Sequence, residues 1–194
     1  MNKSERTRQY IIEKTAPIFN TKGYAGTSLS DMTEATGLTK GSVYGNFKNK
    51  DEVAIAVFEY NFGRLLIMLN SEISKRKTYR EKLLCFPELY LNFLGDKFPV
   101  GGCPIMNTAI EADDTHKDLK NAAKKALLKW FDSFVYLINK GKEKGEFKST
   151  TNAEDKALVI ISLIEGAIMI TKVTGKTNYL KSLMGSLKTI IEDF

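Results

Sequence analysis

Hydrogen-bond donors crowd one short stretch of this chain. Thr27 and Ser28, then Thr39, Lys40, Ser42 and Tyr44, then Asn46, Lys48 and Lys50 place hydroxyl, amide and ammonium groups between positions 27 and 50. The first 50 residues hold eight Lys or Arg against four Asp or Glu, whereas the other 144 hold 21 against 19. Of the formal charge of +6 on 194 residues, +4 therefore sits at the N-terminal end. Such an end suits a polyanion, because cations that neutralise phosphates release the condensed counterions.

Other chemistry is sparse. The chain has two cysteines, Cys85 and Cys103, and a single histidine, His116. Cysteine catalysis needs a general base, and His116 lies in the charged run 113–117 with no partner pattern around it, so the chain reads as a non-enzyme. Asp113, Asp114 and His116 make a poor zinc set, His116 reads as solvated, and no metal or cofactor is implied. Two distant cysteines read as reduced thiols. Residues 1–10 are polar with no apolar run behind them, and the most apolar stretch, 157–170, is broken by Ser162 and Glu165 and falls short of the roughly 20 residues of a spanning helix. A cytoplasmic protein without a membrane partner is expected.

The elements that must position the donors are helical, since apolar residues recur at helical spacing almost everywhere. An all-α fold of about nine helices is expected. The first helix covers 3–22 and stops at Gly23; Thr27 caps a second through Thr36, which Gly37 closes; Thr39 caps a third through about Phe47. Asn49 and Glu52 suggest a reciprocal capping box opening a long fourth helix. Helices over 79–93, 115–144, 152–174 and 178–194 follow, with a loop over 95–104. A three-helix N-terminal domain over residues 4–64, with a helix-turn-helix over about 27–48, and a larger helical body over 65–194 are expected.

Three short helices parted by glycine turns, with cations on the third, suit a helix-turn-helix, in which the last helix enters the major groove. The runs Gly23-Tyr24, Thr27-Ser28-Leu29-Ser30-Asp31-Met32, Gly37-Leu38-Thr39-Lys40-Gly41-Ser42-Val43-Tyr44 and Phe47-Lys48-Asn49-Lys50-Asp51-Glu52 resemble, without a gap, the N-terminal signature of the tetracycline-repressor (TetR) family. Leu29, Met32, Ala35, Leu38, Val43 and Phe47 read as core pegs. The resemblance implies phosphate contacts from Thr27, Tyr44, Lys48 and Lys50, with Ser28 and Asn46 beside them, and base-edge contacts from Thr39, Lys40, Ser42 and Tyr44, with Gly41 letting the backbone come close. One departure stands out: the family usually carries a bulky or polar residue and then His or Tyr before the Phe, where this chain has Gly45 and Asn46. Glycine there costs about 1 kcal/mol relative to alanine, so thinner base readout is expected.

Beyond residue 60 one segment speaks. Gly101-Gly102-Cys103-Pro104-Ile105-Met106-Asn107-Thr108-Ala109-Ile110-Glu111 resembles a TetR subfamily that includes the repressor of N-ethylmaleimide reductase. This implies a sensor role for Cys103, near a helix N-terminus that favours thiolate. The family's bodies hold an apolar ligand, for which Phe62, Tyr90, Phe93, Cys103, Met106, Asn107, Trp130, Phe134 and Met169 are the candidates. The last two helices are expected to pair with their symmetry mates through Ile161, Ile164, Ile168, Leu183, Leu187 and Ile190. The expected protein is a homodimeric repressor released from a near-palindromic double-stranded operator by a small apolar or electrophilic inducer. A cysteine-dependent enzyme and an architectural DNA-binding protein are the rivals.

Overall fold

A computed structural model describes residues 2–194. Among them every regular element is a helix: α1 (Lys3–Gly26), α2 (Leu29–Thr36), α3 (Lys40–Tyr44), α4 (Lys50–Ile73), α5 (Tyr79–Tyr90), α6 (Pro104–Ala112), α7 (Lys117–Glu143), α8 (Ala153–Thr174) and α9 (Thr177–Glu192).

Local chemistry sets most of the ends. Thr39 caps α3 by accepting from the Ser42 amide at 3.2 Å, as expected. Gly37, Gly145 and Gly175 follow α2, α7 and α8. Three details differ from the sequence reading. Ser28 rather than Thr27 caps α2, exchanging hydrogen bonds with Asp31, while Thr27 is buried and donates its hydroxyl to the Gly23 carbonyl at 2.6 Å. α3 ends at Tyr44 instead of Phe47, because Gly45 follows, a residue that weakens a helix. The box at Asn49 is half made: Asn49 accepts from the Glu52 amide, but the Glu52 carboxylate accepts from the Lys48 amide instead. α1 breaks at Gly23 (φ 73°, ψ −179°) and resumes for a last turn through Gly26.

The chain forms two compact units. The first runs to Leu65 and adds Phe98–Ala126; the second comprises Leu66–Lys97 and Leu127–Phe194. In the first, α1 to α3 and the start of α4 bury Ile11, Phe19, Met32, Val43, Phe47, Val53 and Phe58, and α6 lies against α1. Leu29, Ala35 and Leu38 are half-buried pegs. In the second, α9 packs against α8 and α5 over Leu83, Ile160, Ile164, Ile168, Leu180, Leu187 and Ile191. Each fully buried aliphatic side chain contributes about 1.5–3 kcal/mol. Arg80 closes the end of α9 by donating to the Ile191 and Glu192 carbonyls at 3.1 and 2.8 Å, groups no helix satisfies by itself.

α8 corrects two expectations. At 22 residues it is long and apolar enough, by length and composition alone, to cross a membrane, more than the run 157–170 suggested. Its Ile161, Ile164 and Ile168, together with Leu187 of α9, are buried inside the subunit itself. Leu183 and Ile190 are half-buried. The outward stripe of α8 holds Leu158 and Met169, 55% and 48% exposed, and Val173, 82% exposed.

Candidate nucleic-acid interface

The turn between α2 and α3 presents a compact set of donors. Thr39, Lys40 and Gly41 are exposed at the start of α3, Ser42 and Tyr44 are half-buried along it, and Lys48 is exposed just beyond its end. Lys50 holds its ammonium 4.4 Å above the Tyr24 ring. Free ammonium and hydroxyl groups on a helix edge of this kind can donate to phosphates and to guanine O6 or N7. Thr27, Ser28 and Asn46 have their side chains engaged within the chain, on Gly23, Asp31, and Ser4 with Ser42 respectively.

A polar cluster missed by the sequence reading lies beside Lys50, whose ammonium sits over its Tyr24 ring. The Tyr24 hydroxyl donates to Asp51, at the first turn of α4. His116 Nε2 lies 3.5 Å from the same carboxylate, and its ring meets Tyr24 edge-on at 4.6 Å. The His116 side chain is 13% exposed, so its solvated reading is corrected: the run around it is polar, but its ring is covered by Tyr24. The bond to Asp51 pushes the Tyr24 hydroxyl up to about 12, since ionising it would leave two anions in contact. The same bond holds Asp51 below the usual carboxylate range. The Lys48 amide, and then Arg8, do likewise for Glu52.

The segment 101–111 is tied to the end of α1. Asn20 donates to the Val100 and Gly102 carbonyls at 2.7 and 3.0 Å, and Asn107 donates to the Asn20 and Gly101 carbonyls, both at 3.0 Å. Glu111 accepts from the Tyr24 and Ala25 amides at 2.7 and 2.8 Å, one turn ahead of α2. Two glycines are required by these close approaches. A Cβ on Gly23 would stand 2.7 Å from the Glu111 carboxylate carbon, and one on Gly101 would stand 2.6 Å from the Asn20 carbonyl oxygen. Both have positive φ, 73° and 94°. No periodicity could have revealed these pairs, whose members lie some 80 or more positions apart.

The ligand candidates divide between the units. In the second, Tyr90 and Phe86 of α5 meet Trp130 and Phe134 of α7 in one buried aromatic cluster, with ring centroids 4.5 to 6.3 Å apart. Phe93 is buried in the same unit, whereas Met169 points outward from α8 and leaves the set. In the first, Cys103 caps α6 without a side-chain bond to its amides and is 4% exposed. Met106 and Asn107 follow it half-buried, and Phe62 stacks on Phe58 at 6.3 Å. Burial pushes the Cys85 thiol up, with Arg76 partly opposing the shift.

Comparison with known proteins places this arrangement. The family model of bacterial regulatory proteins of the tetR family matches residues 11–57, and that of the tetracyclin repressor-like C-terminal domain matches residues 80–187. A solved TetR-family transcriptional regulator from Cytophaga hutchinsonii is 49% identical, superposes with a TM-score of 0.96, and is covered over 96% of its length by 98% of this chain. A TetR regulator from Chloroflexus aurantiacus is 32% identical with a TM-score of 0.92 over the same shares, 98% and 96%. The HTH-type transcriptional repressor NemR of Escherichia coli (strain K12) is 23% identical over 189 residues, 95% of this chain and 94% of its own.

Proposed function

Because the chain belongs to the TetR family of bacterial regulatory proteins and is a ligand-responsive DNA-binding regulator of transcription, we propose that it is a cytoplasmic, homodimeric repressor released from a near-palindromic operator by a small apolar or electrophilic molecule. The observation that carries this reading is the exposed edge of Thr39, Lys40, Gly41 and Lys48 at the start of and just beyond α3. The relatives' names speak of repression, and nothing about the site calls for catalysis. Two heads related by a two-fold axis meet half-sites one helical turn, or a multiple of that, apart. The outer stripe of α8, from Leu158 through Met169 to Val173, with the half-buried Leu183 and Ile190, supplies the dimer surface. The aromatic cluster of Tyr90, Trp130 and Phe134 supplies an apolar wall for the inducer, which acts by favouring a body conformation whose heads are misplaced for DNA.

The test is selection of duplexes from a random-sequence library by the full-length protein. A two-fold symmetric consensus bound by two subunits is expected; binding of single, unpaired half-sites would refute the dimeric reading. A thiol reading of induction rests on the place of Cys103 as the N-cap of α6. N-ethylmaleimide should then label Cys103 before Cys85 in the native protein and release the selected duplex. Cys103→Ser should abolish that release, and unchanged release in this variant would refute the role of Cys103.

A further inference from the structure

We propose that Arg8 and Ser4 on α1, acting through Asn46, are positioning residues that set the recognition helix for specific DNA. The inference rests on the helix-turn-helix reading above and goes beyond it. α3 has only five residues and is followed by Gly45. Its backbone closes with the Gly45 amide on the Gly41 carbonyl at 2.8 Å and the Phe47 amide on the Val43 carbonyl at 3.2 Å, and side chains from outside the helix add to that hold. The Asn46 amide donates to the Ser42 carbonyl at 2.9 Å, capping α3, while its oxygen accepts from the Ser4 hydroxyl at 3.2 Å. The Asn46 main-chain carbonyl accepts from Arg8 Nη1 at 2.6 Å. Arg8 Nη2 reaches Glu52 at 2.8 Å, and the other Glu52 oxygen accepts from the Lys48 amide at 2.7 Å. The guanidinium also lies 3.9 Å from the centre of the Phe47 ring.

One planar cation thus joins the exit of α3, the core peg Phe47 and the first turn of α4, with Ser4 one helical turn before it on the same face of α1. A fork that bonds in two directions while stacking on a ring is specific to arginine; an ammonium cannot reproduce it. Just past the end of α3 stand Gly45 and Asn46, and side chains of α1 fasten the helix there. The placement of Lys40 relative to Lys48 follows from that fastening. Asn46, expected to meet phosphate, becomes part of the fastener.

The test uses full-length protein, the duplex selected by the wild type, and a scrambled duplex of the same composition, each titrated at several salt concentrations. Arg8→Lys should weaken the selected duplex about tenfold and leave the scrambled one nearly unchanged. Arg8→Met should lose discrimination similarly, with the salt slope on the scrambled duplex unaltered. Asn46→Ala should also weaken the selected duplex, and the Ser4→Ala/Asn46→Ala double variant should be no worse than Asn46→Ala alone, because Ser4 acts through the Asn46 side chain. Thermal melting by circular dichroism, run alongside, checks that each variant is folded at the assay temperature. If the Arg8 variants fail that check, Ser4→Ala carries the measurement, with a smaller loss confined to the selected duplex. Three results would overturn the proposal: Arg8→Lys discriminating as well as wild type, additive losses in the double variant, or a salt slope in Arg8→Met reduced by about one, which marks a direct phosphate contact. Failure of the wild type to select any duplex would fail the helix-turn-helix reading instead.

Discussion

Replacing Gly23 by alanine probes how α6 is joined to the helix-turn-helix. At φ 73° and ψ −179° the backbone occupies a region open essentially to glycine, and a side chain there costs about 1–3 kcal/mol. The new methyl also overlaps the Glu111 carboxylate, which must withdraw and lose its bonds to the Tyr24 and Ala25 amides. For a half-buried carboxylate those two bonds contribute about 1–2 kcal/mol together after allowance for solvent. Gly23→Ala should therefore cost about 2–5 kcal/mol, and Glu111→Ala about 1–2. The double variant should cost no more than Gly23→Ala alone, since the overlapping group and its bonds have gone: a coupling of about 1–2 kcal/mol. Urea unfolding at one fixed protein concentration, followed by circular dichroism, measures all four corners of the cycle. Strict additivity would mean that the Glu111 carboxylate does not occupy the notch at Gly23, and the tie between α6 and α1 would have to be redrawn.

The other predictions follow from exposure and charge. Lys48→Ala should weaken all duplexes alike and reduce the salt slope by about one, whereas Lys40→Ala should narrow the gap between selected and scrambled DNA by about 1–3 kcal/mol; the reverse pattern in salt titrations would exchange the two roles. Val173→Glu, on an exposed position, should give a folded monomer by sedimentation, whereas Ile164→Glu buries an unpaired carboxylate and should unfold the subunit; a dimeric Val173→Glu would move the interface off the outer stripe of α8. The Tyr24 hydroxyl is raised in the folded state, so its contribution is complete below about pH 10 and is lost as pH climbs towards 12. Tyr24→Phe should be less stable at neutral pH by about 1 kcal/mol and should lack that step in alkaline unfolding, and a wild-type-like step would refute the assignment.

The sequence was most informative where the determining chemistry is local. Thr39, Asn152 and Gly37 sit within a few residues of the helix ends they define, and the core pegs Met32, Val43 and Phe47 repeat at the helical period. It was least informative where two distant segments meet. Asn20 with Asn107, Gly23 with Glu111, and Tyr24 with Asp51 and His116 are ordinary polar residues in their own neighbourhoods, and only the fold brings them together. α8 shows a third case. A helix apolar around most of its surface must be covered, but its pattern does not say which side its own subunit covers, and Ile164 and Leu187 are covered by helices of the chain itself. The donor side chains along α3 are exposed or half-buried, whereas those of Asn46 and Thr27 already have partners inside the chain.

The burial of Cys103 sets a clock on any response that passes through it. A thiol 4% exposed reacts only while its surroundings are open, so the observed rate is the product of the opened fraction and the intrinsic rate. For an opening free energy of about 4 kcal/mol, roughly one molecule in a thousand is reactive at any instant. At high electrophile concentration the rate then stops rising and equals that of opening. A brief pulse of a reactive compound passes unregistered, whereas a lower and sustained dose accumulates adducts until the population has turned over. The depth of one side chain thereby separates duration from intensity, a distinction that a surface thiol of the same acidity cannot make.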